Sequence, residues 1–95
     1  MLGQTLRLVL KESPSIMMPG AFSGLCGRLV AQNGFKACYV SGGAITANSG
    51  QPDIGMLGLS EFCNSIYEVS RSSGLPVLAD ADIGFGEGEM VIKTV

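Results

Sequence analysis

The 95-residue sequence contains no histidine and only three cysteines. Without histidine, any acid–base chemistry must fall to carboxylates, lysine, tyrosine or cysteine. Cys26, Cys38 and Cys63 lie far apart, are odd in number and show no Cys-x-x-Cys spacing, which argues against a zinc site or a disulfide framework. We interpret them as small buried hydrophobic residues in a reducing compartment, either the cytoplasm or, in a eukaryote, the mitochondrial matrix.

Charged residues are also scarce, at 15% of the chain, with a net charge of −2 and no basic cluster. This composition argues against nucleic acid and anionic membranes as partners. No apolar run approaches the roughly 20 residues of a membrane span. Hydrophobic residues make up 46% of the chain, which predicts a well-buried core and argues against disorder.

Three stretches have apolar residues at helical spacing. The first stripe predicts a leading helix that ends before Pro14, and its members are Leu2, Leu6, Val9 and Leu10. The second ends at Gly34 and comprises Phe22, Leu25, Cys26, Leu29 and Val30. The third has Ser60 as its expected N-cap and Gly74 as its end, and comprises Phe62, Cys63, Ile66, Tyr67 and Val69.

Near-continuous apolar runs between these helices predict strands of a parallel sheet. They are "FKACYVSGG" and "LPVLADAD", and before them stands "SIMMPGAF", a short apolar run that Pro19 and Gly20 break into a strand and its turn. The polar segment "GGAITANSGQPDIG" is predicted to be a loop, and "GEGEMVIKTV" to open a last helix. A helix followed by three strand–helix units predicts an α/β fold. Because the chain stops directly after its third strand and inside a helix, we expect it to be the N-terminal portion of a larger domain.

Two carboxylates, Asp80 and Asp82, end the third predicted strand. Residues two apart in a strand share a face, and parallel α/β folds place their sites at this strand end. Paired oxygen ligands of this kind suit Mg²⁺ or Mn²⁺. Asp53, on the loop after the second strand, adds a third acid at the same end. The alternative is that these residues cap helices or bond to loop amides.

The turn "SGG" leaves the second predicted strand at the matching end. Ser41 and the amides of Gly42 and Gly43 are suited to hold a carboxylate or a phosphate, although an ordinary glycine turn fits the same residues. Tyr39 shares the face of Ser41 by strand alternation, so it either lines the pocket or packs in the core. No Gly-Lys-Ser/Thr of a P-loop follows, and no complete dinucleotide fingerprint occurs.

Taken together, these segments resemble the isocitrate lyase/phosphoenolpyruvate mutase family. The matching stretches are "GAF", "GFKACYVSGGAI", "SGQPDIG" and "LPVLADADIGFGE", in the family's order and spacing. The resemblance implies that residues 1–95 form the N-terminal part, about three βα units, of a (β/α)₈ barrel, which needs roughly 200 residues or more. It also implies that Tyr39, Ser41, Gly42, Gly43 and Asp80 bind a small carboxylate substrate.

The same resemblance implies a Mg²⁺ or Mn²⁺ site formed by Asp53, Asp80 and Asp82. It further implies a carbon–carbon lyase that cleaves a 2-methylisocitrate-like 2-hydroxy tricarboxylate to pyruvate and a dicarboxylate, in full-length proteins that form homotetramers. The family's lyases carry a "K-x-CGH" loop that supplies a catalytic cysteine. None of the three cysteines here has that context, so no catalytic residue is assigned and these residues alone are expected to be inactive.

Two alternatives remain open. The first is phosphonopyruvate- or oxaloacetate-type chemistry within the same family, and of these the phosphorus–carbon chemistry does not need that cysteine. The second is a non-catalytic partial barrel that binds a full-length paralogue through an exposed strand edge.

Overall fold

The computed structural model describes residues 2–13, 15–50, 58–80 and 88–94. Within these ranges the chain forms five helices and two strands. In chain order they are α1 (Leu2–Glu12), α2 (Gly24–Gln32), β1 (Cys38–Val40), α3 (Gly42–Asn48), α4 (Leu59–Ser73), β2 (Val77–Ala79) and α5 (Glu89–Thr94). This is the predicted α/β order, with one helix that the sequence analysis did not predict.

The two strands run parallel, with Cys38 opposite Val77 and Val40 opposite Ala79. On its other side β1 is held by the segment at Gly20, which forms an isolated parallel bridge with Tyr39. The Tyr39 amide donates to the Pro19 carbonyl at 2.9 Å, and the Ala21 amide donates to the Tyr39 carbonyl at 2.9 Å. β1 therefore lies in the middle of the sheet among the described residues.

The first predicted strand, "SIMMPGAF", shrinks to this single bridge. In a parallel ladder every second amide of a strand donates to the same neighbour, so the amide two residues before Ala21 is the next donor required. That residue is Pro19, which has no N–H. The prediction of a short strand before the turn at Pro19 and Gly20 was wrong, because proline ends the ladder there.

The core lies between the sheet and the helices behind it. Its buried residues come from every layer, and they are Ala21, Val30, Cys38, Val40, Ile45, Phe62 and Val69. Cys38 and Val40 are fully buried on one face of β1. The other side of the sheet is more open, since Leu78 of β2 is 45% exposed.

Helices α2 and α4 pack closely against each other at two glycines of α2. A Cβ atom on Gly27 would lie 3.1 Å from the Val69 carbonyl oxygen and 3.3 Å from the Val69 Cγ1 atom. On Gly24 it would lie 2.6 Å from the Ser72 Oγ atom. Close backbone approach of this kind is open to glycine and to no larger residue without a shift of the neighbours.

This contact corrects the predicted apolar stripe of α2. The helix buries Gly27 and Val30 and half-buries Cys26, whereas Leu25 and Leu29 are 70% and 49% exposed. The larger apolar residues cannot occupy the side that approaches α4, because the two helices leave no room for them. The predicted end of the helix is confirmed: α2 ends at Gln32, Asn33 is its C-cap, and Gly34 follows with a φ of +84°.

In α4, Phe62 and Val69 are buried and Ile66 is half-buried, as predicted. Cys63 and Tyr67 are exposed, contrary to prediction. The Arg71 guanidinium lies over the Tyr67 ring, with 5.4 Å between the Cζ atom and the ring centroid. The N-cap is Gly58 rather than Ser60, and a Glu61 carboxylate oxygen accepts from its amide at 3.2 Å. Glu61, three residues after the N-cap, thus makes the carboxylate half of a capping box, while Gly58 has no side chain to make the other half.

The segment predicted as a polar loop begins with a helix, α3. Ile45 and Thr46 point into the protein and are 6% and 3% exposed. The two glycines at the start of the segment suggested a loop. The prediction was wrong because the following residues, from Ala44 to Ala47, carry enough apolar surface to bury one side of a short helix.

Helix α1 lies against β2, with Leu6 and Val9 half-buried and Leu10 46% exposed, so Leu10 is not part of the buried stripe. It ends at Glu12, before Pro14, as predicted. Among the described residues, no helix has the length and apolar character needed to cross a bilayer.

The glycine contact between α2 and α4 can be tested by substitution. Gly27→Val should lower the free energy of unfolding by about 1–3 kcal/mol, as expected for overpacking. Gly3→Val makes the same change in α1, where nothing lies within 4 Å of the new Cβ, and it serves as the control. Urea unfolding of both variants provides the measurement, and equal midpoints for the two would contradict the close packing.

Candidate functional site

The turn after β1 and the carboxylate after β2 lie side by side. Asp80 directly follows β2, and its amide donates to the Val40 carbonyl at 3.3 Å. Val40 is the last residue of β1, so the next residue, Ser41, lies beside Asp80 at the same edge of the sheet. The sequence predicted this meeting from the rule that parallel strands present their carboxyl ends together.

Tyr39 belongs to the open face of the sheet. Alternation places it opposite Val40, which is fully buried, and on the side of Ser41. Ser41 has extended backbone angles, φ −108° and ψ 134°, so the alternation continues through it. Tyr39 is half-buried and is paired in register with Leu78. This arrangement fits both interpretations of Tyr39, as the floor of a pocket and as a packing residue.

Ser41 occupies the N-cap position of α3, but its side chain makes no capping hydrogen bond. A serine at this position ordinarily accepts from an amide in the first turn. Gly42 and Gly43 are the first two helical residues, and amides in the first turn have no acceptor within their own helix. The turn therefore presents a hydroxyl and amide donors that α3 itself does not use.

The sequence analysis missed Thr46 as part of this arrangement. Its Oγ1 donates to the carbonyls of Gly42 and Gly43, both at 3.0 Å. Thr46 is 3% exposed, and it is the buried polar residue among those described. The signal was in the sequence: a threonine three and four residues after two glycines can reach back to both of them, provided that the segment is helical.

Of the three predicted metal ligands, Asp80 is described and exposed. Asp53 and Asp82 lie outside the described residues. Within residues 2–13, 15–50, 58–80 and 88–94 no three acidic or cysteine side chains form a cluster suited to a metal ion. At this edge of the sheet the described residues place the Asp80 carboxylate beside the Ser41 hydroxyl. Oxygen ligands of this kind fit Mg²⁺ or Mn²⁺.

The cysteines differ more than predicted. Cys38 is fully buried, Cys26 is half-buried and Cys63 is exposed, so the interpretation of three buried residues was wrong for Cys63. Burial raises the pKa of the Cys38 thiol, and a hydrogen bond with the Ser73 side chain opposes that shift in part. A thiol with a raised pKa in a closed environment is a poor nucleophile, which leaves Cys38 a packing residue.

Comparison with protein families places residues 6–95 within the model described as phosphoenolpyruvate phosphomutase. The chain is 41% identical over 92 residues to "Probable 2-methylisocitrate lyase 2" of Corynebacterium glutamicum, covering 97% of this chain and 30% of that one. It is 37% identical over 93 residues to 2-methylisocitrate lyase of Aeropyrum pernix, covering 98% and 30%. The chain thus spans about a third of the length of the curated relatives it matches.

Solved structures give the same result. A crystal structure of 2,3-dimethylmalate lyase, described as a PEP mutase/isocitrate lyase superfamily member, superposes with a TM-score of 0.84 at 34% identity, covering 98% of this chain and 34% of that one. Phosphoenolpyruvate phosphomutase from Streptomyces platensis superposes with a TM-score of 0.88 at 30% identity, covering 96% and 32%. The predicted fold class, α/β with the architecture of the family's first βα units, is confirmed.

Thiol reactivity tests the description of the cysteines. In the native protein, iodoacetamide should modify Cys63 first, Cys26 more slowly, and Cys38 only after unfolding, because the Cys38 thiol is buried and its pKa is raised. Peptide mass spectrometry reports each site. In urea all three should react at similar rates, and native labelling of Cys38 as fast as that of Cys63 would contradict the placement of β1.

Proposed function

The chain belongs to the phosphoenolpyruvate phosphomutase/isocitrate lyase family, and on this premise we propose that it carries the substrate- and metal-binding part of a carbon–carbon lyase. The proposed substrate is a 2-hydroxy tricarboxylate like 2-methylisocitrate, cleaved to pyruvate and a dicarboxylate. Relatives named 2-methylisocitrate lyase from several organisms support this choice within the family.

One observation carries the proposal. The Asp80 amide donates to the Val40 carbonyl, and this hydrogen bond holds the first residue after β2 against the first residue after β1. A metal-binding carboxylate and an anion-binding turn must be neighbours if one substrate is to touch both. Their adjacency here does not depend on loop conformation, because strand pairing enforces it.

The residues divide into two roles. Ser41 and the amides of Gly42 and Gly43 hold a substrate carboxylate through hydrogen bonds, and charge-assisted bonds of this kind are stronger than neutral ones. Tyr39 flanks that carboxylate from the open face of the sheet. Asp80, with Asp82 and Asp53 from the segments not described, would hold Mg²⁺ or Mn²⁺.

A bound divalent cation supplies Lewis-acid stabilisation of negative charge on substrate oxygen atoms. The part played by the chain itself is to orient the substrate, with one carboxylate held at the Ser41–Gly43 turn and the remainder directed toward Asp80. This fixed orientation favours reaction at one bond of the substrate over others.

We propose further that the 95 residues bind substrate without turning it over. A lyase of this family requires an acid at the product carbanion, and the resemblance implies a cysteine in a Lys-x-Cys-Gly-His context. Cys26 is followed by Gly27 and Arg28, and the sequence contains no histidine. Cys38, the most deeply buried cysteine, faces the helices rather than the open face.

A second candidate is oxaloacetate- or phosphonopyruvate-type chemistry. It is favoured by superposition on oxaloacetate acetylhydrolase, with a TM-score of 0.87 at 31% identity, and on phosphoenolpyruvate phosphomutase. The Ser41–Gly43 turn suits a carboxylate of either substrate class. The difference between the candidates therefore lies in which anion this site prefers.

The third possibility is a non-catalytic partner of a full-length paralogue. Exposed apolar side chains on separate elements favour it, since Leu25 is 70% and Ile92 74% exposed. Homotetramers of full-length relatives and a cytoplasmic or mitochondrial-matrix location also remain predictions.

Metal binding at Asp80 can be measured without any activity. Mn²⁺ should broaden the amide NMR signals of Ser41 and Asp80 before those of α4, because paramagnetic broadening falls steeply with distance. Asp80→Asn should weaken Mn²⁺ binding by about tenfold or more, since losing even an outer-shell partner of a metal costs that much. Glu68→Gln removes an exposed carboxylate from α4 and should leave binding unchanged.

Titration with 2-methylisocitrate, oxaloacetate and phosphonopyruvate in the presence of Mg²⁺ then separates the candidates. Tightest binding of 2-methylisocitrate, with shifts at Gly42 and Gly43, supports the lyase. Tightest binding of either other anion favours the second candidate. Equal Mn²⁺ affinity in the wild type and the Asp80→Asn variant, together with no anion-induced shift at the turn, would overturn the proposal.

A further inference from the structure

We propose that Thr46 is a positioning residue for the Ser41–Gly43 turn, whose hydroxyl keeps the turn in the conformation that receives the substrate carboxylate. The proposal rests on the function proposed for that turn. It assigns to this chain a determinant of substrate affinity that touches neither substrate nor metal.

The first observation is the direction of the Thr46 hydroxyl. Its Oγ1 lies 3.0 Å from the Gly42 carbonyl oxygen and 3.0 Å from the Gly43 carbonyl oxygen. A threonine hydroxyl has one proton to donate, so the two equal distances describe a single proton shared between both carbonyls. One side chain thereby ties together two successive peptide groups, the one that joins Gly42 to Gly43 and the one that joins Gly43 to Ala44.

The second observation is burial. Thr46 is 3% exposed, so water does not compete for its hydroxyl. A buried hydroxyl needs a partner, and the carbonyls within reach of a helical threonine are those three and four residues earlier. Here both acceptors belong to the residues proposed to hold the substrate.

The turn has an intrinsic need for such a restraint. Glycine has more backbone freedom than any other residue, and two glycines follow each other at this point. α3 has 7 residues, and a helix so short is only marginally stable by itself. Ser41 adds no capping hydrogen bond. The buried side chains of Ile45 and Thr46 therefore help to anchor α3 to the protein.

The conformation of the turn also decides how its donors are oriented relative to Asp80. Because the Val40 carbonyl accepts from the Asp80 amide, the strand ends are fixed up to Val40. The orientation of the peptide groups after that point is set within the turn. The Gly42 carbonyl shares a peptide group with the Gly43 amide, and the Gly43 carbonyl with the Ala44 amide. If these carbonyls turn away from Thr46, the Gly43 amide turns as well, and the substrate carboxylate held at the turn loses this donor.

Three variants test this inference in the 95-residue chain. Thr46→Val keeps the shape of the side chain and removes the hydroxyl, whereas Thr46→Ser keeps the hydroxyl and removes the methyl group. Thr5→Val is the control, because it also replaces threonine by valine but at an exposed position of α1. The readouts are the ¹⁵N order parameters of Gly42 and Gly43 without ligand and the affinity for malonate with Mg²⁺. Thermal unfolding reports whether each variant is folded.

In wild type, Thr46→Ser and Thr5→Val, both glycines should be rigid, with order parameters of about 0.85. In Thr46→Val they should fall toward about 0.6, and malonate binding should weaken about three- to tenfold, the size of one lost hydrogen bond. Rescue by serine distinguishes positioning from a general packing role, which Thr46→Ser would disturb more through its missing methyl group.

Unchanged order at Gly42 and Gly43 in Thr46→Val would overturn the inference whether or not malonate binds. Reduced order with unchanged malonate affinity would overturn it too, since the turn would then bind without the restraint. If no variant, the wild type included, binds malonate but order still falls in Thr46→Val, the role of Thr46 in the turn is supported and the proposed function fails.

Discussion

The parallel pairing of β1 with β2 is the constraint on which the site depends. The Cys38 amide donates to the Pro76 carbonyl at 3.0 Å, and the Asp80 amide donates to the Val40 carbonyl at 3.3 Å. With Cys38 opposite Val77, Ser41 and Asp80 leave the sheet as neighbours. A shift of one residue would move every side chain of β2 to the other face, so the register decides whether these two residues meet.

The layer behind the sheet stabilises that register. Cys38 and Val40 are fully buried against a core to which α4 contributes Phe62 and Val69. Gly27 allows α2 to pack closely against Val69 of α4. The two helices therefore support the sheet together. The polar chemistry on the open face thus rests on close apolar packing on the other, which holds the backbone still while leaving the side chains of Ser41 and Asp80 accessible.

Apolar periodicity and strand-end rules were enough to predict the helices α1, α2, α4 and α5, the strands β1 and β2, and the meeting of Ser41 with Asp80. They were not enough for details that depend on tertiary contacts. The face that α2 buries is set by glycines opposite α4, not by its largest apolar residues. Pro19 limits the first predicted strand to one bridge. Helix α3 and its Thr46 hydrogen bonds were not predicted, because the two glycines at its start suggested a loop. The placement of Asp53 and Asp82 lies outside the described residues and stays a prediction.

The exchange rate of the Asp80 amide with deuterated solvent tests the central claim most directly. Asp80 is exposed, so its amide is slow to exchange only if it is bonded to the Val40 carbonyl. We expect it to be protected along with the amides of Cys38 and Tyr39, which donate to Pro76 and Pro19. Exchange of the Asp80 amide at the rate of an unstructured chain, while Cys38 stays protected, would show that the two strand ends do not meet and would contradict the site.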